Sequence, residues 1–323
     1  MSPSNFQAVK LSLPTPYPVG RINAYFLDGD EPTLIDTGVY SSKSLNALRD
    51  QLQQHGRRLE DIRRILVTHD HYDHAGAALH LSQLCPATLY LPKKASLLSQ
   101  REAEAREKLF AFLLHCGGPR PLLEIAFQLF GAGDHFANRD AQPLAIEWLT
   151  GGETIADHGW SLEALFTPGH SPDHLCFFEA ASGLLFCGDL LLPHITPNPL
   201  LYLDPDDDYR RTHSLLDYVD SVAKLEARAV RSGHPGHGPD IPDVAGLIAT
   251  NKAFIEQRKN KLAKIIARGP TNPFALAHDA FGELDVANQY LAISETVAYL
   301  DLLEREHQAV VDWDAEIISV SAT

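Results

Sequence analysis

Short apolar runs divided by glycine, proline and aspartate dominate the chain up to about residue 230, and longer stretches with helical spacing follow. Residues 22–36 (INAYFLDGDEPTLID) predict two strands turned at Asp28-Gly29-Asp30, and residues 42–55 carry a helical pattern. Arg64-Ile65-Leu66-Val67-Thr68 has the composition of a buried strand, Ala75 to Leu84 that of a helix, and Ala87 to Leu91 that of a further strand. Between about 96 and 136 the character changes. Leu109, Phe110, Phe112 and Leu113, then Leu122, Leu123, Ile125, Ala126, Leu129 and Phe130, follow helical spacing, and Gly117-Gly118-Pro119 breaks the run into two helices. Strands are expected again at 144–149, 162–167, 174–179 and 184–187, then a helix at 209–226 and a short strand at Ala229-Val230-Arg231. From 245 the pattern gives helices at 245–267, 273–281 and 289–306, and a strand pair, Ala309–Trp313 and Glu316–Val320, turned at Asp314. Two β-rich halves flanking a helical block fit an α/β sandwich, and no repeat of twenty to fifty residues is visible.

The chain of 323 residues suffices for one large domain, or a large one with a smaller partner, and its 45% hydrophobic content is ample for a core. A formal net charge of −15 weighs against a sequence-independent hold on nucleic acid, which needs a basic footprint. Residues 251–323 hold seven Lys/Arg and eleven Asp/Glu, a net of −4, which leaves −11 for residues 1–250. Neither part is basic. The four cysteines (Cys85, Cys116, Cys176, Cys187) form no CxxC pair and read as reduced, buried thiols. The first thirty residues lack a basic region followed by an apolar run, and no apolar stretch approaches membrane-spanning length. A soluble cytoplasmic protein is expected.

The chemistry is concentrated in His69-Asp70-His71-Tyr72-Asp73-His74, directly after the 64–68 strand. A zinc-like ion takes imidazole nitrogens and carboxylate oxygens at about 2.0–2.2 Å. His69 and His71 can face one ion, and Asp73 and His74, further round the loop, a second. Three later positions share a strand–glycine–ligand form: Gly169-His170, Gly188-Asp189 and Gly233-His234. Glycine lets the backbone bend and come close to a ligand. Asp189 is the natural bridge, because a carboxylate has two oxygens to share. The last donor is ambiguous, since Ser232-Gly233-His234-Pro235-Gly236-His237-Gly238 offers two histidines. His234 comes shortly after the expected strand, which would hold it rigidly, and is preferred; His237 is the alternative. Tyr72 and His174 are candidate catalytic side chains, against the plainer readings of a packed aromatic and a backbone-bonded histidine. His194 is a candidate for reaching the cleft. Cys187 reads as a strand residue, and His80, His115, His135 and His158 as structural.

HDHYDH, TPGHSPDH, FCGD and SGH, in this order across about residues 20–240, resemble the motifs of the metallo-β-lactamase fold superfamily. The resemblance implies a four-layer αββα sandwich with the site at one edge between the sheets. It implies a first metal on His69, His71 and His170, a second on Asp73, His74 and the late histidine, and Asp189 as bridge. The Pro-Gly-His-Gly wording common in that family falls on His237. Asp36, in LIDTG, matches an additional N-terminal acid that supports the histidine loop without ligating metal. Within the superfamily the chain is similar to the branch of glyoxalase II-type thioesterases, lactonases and β-lactamase-like endoribonucleases, which often carries a C-terminal winged-helix tail. Three helices and a strand pair have that order. The expected organisation is a catalytic domain over 1–244, with a helical insert at about 96–136, and a winged-helix-like domain over 245–323.

Two divalent ions some 3.5–4 Å apart can share a water and lower its pKa from about 15.7 toward neutrality, so that a hydroxide attacks a carbonyl or phosphoryl centre. Zinc is the expected ion, and Mn²⁺ or Fe²⁺ suits the same donors. Asp73 would orient the hydroxide, and a metal would stabilise the oxygen that becomes negative. Three functions follow. The first is a hydrolase of a small ester, thioester or lactone, with the apolar insert as a lid for an acyl chain, or as a dimer contact or plain core. No basic cluster placed for glutathione carboxylates is identifiable. The second is a metal-dependent endoribonuclease or phosphodiesterase, which the acidic tail disfavours. The third is a non-catalytic metal-binding regulator, which the complete donor set disfavours. A homodimer is the default assembly.

Overall fold

The computed structural model describes residues 7–95, 102–131, 143, 145–196 and 199–323. His135 and the ends of the 96–136 insert lie outside them. The segment Ile22–Leu27 is buried at every residue, and the reason sets the architecture. Ile22, Ala24 and Phe26 point into one apolar cluster, Tyr25 and Leu27 into another. A strand with period-two side chains is buried throughout only when both faces of its sheet are covered.

In chain order the elements are β1 (Ala8–Leu13), β2 (Ile22–Leu27), β3 (Thr33–Ile35), α1 (Ser42–Gln54), β4 (Arg64–Leu66), α2 (Tyr72–Ala75), α3 (Ala78–Leu84) and β5 (Thr88–Pro92). Then come α4 (Glu102–His115), α5 (Arg120–Gly131), β6 (Ala145–Leu149), β7 (Thr154–Asp157), β8 (Trp160–Phe166), β9 (Leu175–Glu179) and β10 (Leu184–Gly188). The remainder is β11 (Leu203–Asp204), β12 (Arg210–Arg211), α6 (Ser214–Glu226), β13 (Ser232–Pro235), α7 (Val244–Ile266), α8 (Pro273–Phe281), α9 (Val286–Arg305), β14 (Ala309–Asp312) and β15 (Ser319–Ala322).

The first sheet has the order β1-β2-β3-β4-β5-β6, antiparallel up to β3 and parallel beyond. The second runs β13-β10-β9-β8-β7. Leu66, Leu162, Leu175, Phe177 and Phe186 meet between the sheets. The far face of the first sheet packs on α1 and α3 through Leu48, Leu52, Leu79 and Leu81. The far face of the second, with Cys176 and Phe178 of β9, packs on α6 to α9. Three apolar interlayers make four layers, α-β-β-α. Ser41 caps α1 and Asp243 caps α7 by accepting the backbone N–H three residues on, which satisfies donors a helix start leaves free.

The C-terminal helices and hairpin have the expected order, and they share one apolar cluster with α6, β9 and β10. The α4–α5 pair enters the same cluster through Leu113, Cys116 and Leu123. Those three side chains are core. All four cysteines are free and buried. Among the described residues no helix is long and apolar enough to cross a membrane.

Two expected elements shift. The helix expected from 209 begins at Ser214, because Arg210 and Arg211 pair with Asp204 and Leu203 in a small ladder. The strand expected at 229–231 lies at β13, Ser232–Pro235. Ser-Gly-His-Pro has weak strand propensity, but β13 is a sheet edge paired in parallel with β10, where proline is tolerated.

Candidate metal centre

The end of β4 leads through Val67 and Thr68 into the HDHYDH loop. Nε2 of His69 and Nε2 of His170 each lie 3.0 Å from Nδ1 of His71. Nitrogens so placed cannot all be satisfied by protons lying between them. The opposite ring atoms of His69 and His71 have hydroxyl partners. Nδ1 of His69 lies 3.0 Å from the hydroxyl of Thr68, and Nε2 of His71 lies 2.5 Å from the hydroxyl of Tyr202. With the proton on the outer nitrogen, the inner nitrogen offers a lone pair, as a metal donor must.

A second group forms beside it. Nδ1 of His74 faces Oδ2 of Asp36 at 2.8 Å, and Nδ1 of His237 faces the carbonyl of Arg21 at 3.0 Å. Their Nε2 atoms therefore turn inward. Nε2 of His237 lies 3.3 Å from Oδ2 of Asp73 and 3.5 Å from Oδ2 of Asp189, and Nε2 of His74 lies 3.3 Å from Oδ1 of Asp189. Nε2 of His74, Nε2 of His237 and Oδ1 of Asp189 are buried without an aligned hydrogen bond. Buried polar atoms left in that condition are costly unless a ligand takes them. Three sets of donors each lie close enough to share one ion: His69, His71 and His170; His69, His74 and Asp189; Asp73, His74 and His237. Nitrogen and carboxylate donors with no thiolate suit zinc, manganese or iron.

In the first triad the electrostatics agree with this use, whereas in the second burial is outweighed by carboxylates, Asp189 and Asp36 raising His74 and Asp73 and Asp189 raising His237. Burial holds His69 and His71 below the ordinary histidine value and pushes His170 down to about 3, so all three rings are neutral donors. For Asp189 burial acts the other way, but His74 outweighs it and keeps the carboxylate ionised, well below its usual range.

The structure thus gathers His69, His71, Asp73, His74, His170 and Asp189, and takes the last histidine as His237, not the preferred His234. His234 sits inside β13, stacked on Tyr25 with ring centroids 4.8 Å apart, and its Nδ1 lies 3.2 Å from Asp240. Its side chain faces away from the cluster because β13 ends later in the chain than expected. His237 follows that strand by two residues. Asn23 and the Tyr25 hydroxyl hold its loop by donating to the carbonyl of Pro235 at 2.9 and 2.8 Å. Gly236 is obligatory here, since a Cβ would lie 2.3 Å from Oδ1 of Asp189 and 2.5 Å from Cε1 of His74.

His174 is also reassigned. It is fully buried, with Nδ1 3.1 Å from the Thr167 hydroxyl and Nε2 accepting the Asp189 backbone N–H at 3.2 Å. It positions Asp189 from behind and has no free face for substrate. Tyr72 lies in the first turn of α2, half-buried between two cluster residues. Tyr202, whose hydroxyl meets His71, escaped the sequence reading, because it is 131 residues away with no local signal. His194 lines a cavity of about 450 Å³ that also touches Gly169, the neighbour of His170.

Converging imidazoles and carboxylates at one edge of a double sheet define a metal-centred site. The family model for the metallo-beta-lactamase superfamily matches residues 17–269. A probable metallo-hydrolase, YqjP of Bacillus subtilis (strain 168), is 29% identical over 324 residues, covering 96% of each chain. An atrochrysone carboxyl ACP thioesterase of Aspergillus fumigatus is 25% identical over 285 residues, 84% of this chain and 72% of its own. A solved metallo-beta-lactamase family protein from Thermus thermophilus superposes with a TM-score of 0.73 at 26% identity over 98% of both chains. A beta-lactamase domain protein from Burkholderia ambifaria, 23% identical, has the same fold with a TM-score of 0.82 over 100% of this chain and 95% of its own. The chain belongs to the metallo-beta-lactamase superfamily and is a hydrolase of it.

Proposed function

We propose that the chain hydrolyses a thioester, or a related small ester or lactone, with two divalent ions, zinc in the first instance. The observation that carries this reading is the convergence of two donor triads, His69/His71/His170 and Asp73/His74/His237, on the carboxylate of Asp189. The ions, when bound, would supply an activated water and a sink for the charge that develops on the carbonyl oxygen. The chain's own groups do the remainder. Asp73 would take a proton from the attacking water. Tyr202 fixes the ring of His71, Asp36 that of His74, and His174 the backbone of Asp189. In the net reaction the water oxygen joins the carbonyl carbon, the C–S or C–O bond breaks, and a proton goes to the departing sulfur or oxygen.

The thioester is favoured by the relative named as an ACP thioesterase and by the cavity of about 450 Å³ against Gly169, a size that suits a small-molecule site. The net charge of −15 supports a small substrate over nucleic acid. Reduced, buried cysteines suit a cytoplasmic location. The test is hydrolysis by zinc-loaded protein of acyl thioesters, γ-lactones, aryl esters, a phosphodiester and single-stranded RNA, with and without chelator and alongside Asp189→Ala. Chelator-sensitive thiol release that is lost in the variant is expected. Cleavage of the phosphodiester or RNA alone would overturn the reading.

A further inference from the structure

The acidity of residues 251–323 conceals an uneven distribution. Six of the seven Lys/Arg there fall between Lys252 and Arg268, and Glu256 is the one acid in that interval. Arg258, Lys261, Lys264 and Arg268 follow one another at spacings of three, three and four, so they share one face of α7 and its C-terminal extension. At 1.5 Å per residue that face is about 15 Å long. It lines a groove of about 660 Å³ whose single carboxylate is Asp279.

Glu295 answers Arg258, with Nε and Oε1 3.2 Å apart, and Lys261 donates to the carbonyl of Ala280. Lys264 and Arg268 are exposed and have no ion pair among the described residues. The groove also holds Phe254, 37% exposed, with the Arg258 guanidinium 5.1 Å from its ring centroid. Phe254 and Arg258 are walls of the 450 Å³ cavity as well, which continues between Leu215, Ile255 and Tyr299 to Gly169. A basic groove with an aromatic face thus adjoins a partly apolar cavity, whose wall at Gly169 is the chain neighbour of the donor His170.

We propose that the groove binds the phosphorylated adenosine end of a coenzyme A thioester, the pantetheine arm passing Phe254 and Arg258 into the cavity and the thioester carbonyl reaching the cluster at His170. The proposal rests on the thioesterase reading and names its substrate class. Its ground is charge complementarity: Lys261, Lys264 and Arg268 stand out from a chain of net charge −15 and match a cluster of phosphates. Phe254 offers a ring for adenine to stack upon. An extended nucleic acid needs a longer cationic track, and this one is short. Hydrolysis consumes one water: its oxygen joins the acyl carbon, the C–S bond breaks, and the thiol leaves with a proton.

The test uses the full chain and the double variant Lys264→Glu/Arg268→Glu, whose side chains lie outside the catalytic cluster. Adenosine 3′,5′-bisphosphate, which lacks a thiol that could bind metal, serves as the binding probe. The variant is expected to weaken its binding about tenfold. The KM for acyl-coenzyme A should rise by a similar factor with kcat unchanged, and hydrolysis of the matching acyl-pantetheine should stay the same. Equal nucleotide binding by both proteins, or displacement of the nucleotide by lower concentrations of an RNA oligonucleotide, would overturn the assignment. Nucleotide binding that depends on these cations without hydrolysis of any thioester would keep the groove and overturn the substrate.

Discussion

Oδ2 of Asp36 lies 2.8 Å from Nδ1 of His74. The same carboxylate accepts the backbone N–H of Thr68 at 2.8 Å, and its hydroxyl at 2.9 Å, while that hydroxyl meets His69. One buried acid thus orients a histidine in each donor triad, which explains why it occupies a left-handed backbone position at φ 59°. Asn tolerates that backbone but cannot carry the charge. Asp36→Asn is therefore expected to fold and to lose about 10- to 100-fold in metal affinity, read by chelator competition. Unchanged affinity would mean the acid is only structural.

His237 and His234 separate cleanly. His237→Ala should lose one equivalent of bound metal, because it removes an inward Nε2 from the second triad. His234→Ala should keep full metal content and lose stability by about 0.5–1.5 kcal/mol, the worth of an aromatic pair such as its stack on Tyr25. Metal analysis and thermal unfolding of the two variants decide the assignment.

Gly236→Ala should disable the centre without unfolding the sheets. Its methyl group would press on Asp189 and His74, both held by other contacts. Metal content should fall while far-ultraviolet circular dichroism stays unchanged. Retained metal would show that the loop can retreat.

Much of this was readable from residues alone, and the failures have physical causes. The hexapeptide and the glycine-led His170 and Asp189 declare themselves by local spacing. The sequence predicts a last donor shortly after a strand, and His237 follows β13 by two residues. That strand ends at Pro235 and not at Arg231, because Ser232–Pro235 pairs by edge position and not by propensity. Both His234 and His237 follow a glycine, so that pattern does not separate them; the Pro-Gly-His-Gly wording is what points to His237. Tyr202 and the basic face of α7 were less accessible. The first depends on tertiary approach, and the second disappears when charge is summed over a whole tail.

His213 supplies a pH dependence away from the centre. Its hydrogen bond to Asp301, at 3.1 Å from Nδ1, raises its pKa, with burial and Arg211 opposing and Asp217 assisting. A raised folded-state value stabilises the fold fully below the unfolded pKa of about 6.5, and that contribution is lost as pH rises through the folded value. The side chain is 55% exposed, so screening limits the gain to no more than about 1 kcal/mol. The melting-temperature difference between the protein and His213→Ala should be larger at pH 6 than at pH 8.5. An increase with pH would contradict the assignment.

The most direct test of the whole account is zinc titration of chelator-stripped protein, with bound metal and acyl-thioester hydrolysis followed together. Two equivalents should bind, activity should appear with occupancy, and Asp189→Ala should lose both. Saturation at one equivalent or less, or hydrolysis indifferent to metal, would contradict a two-ion centre on these seven residues.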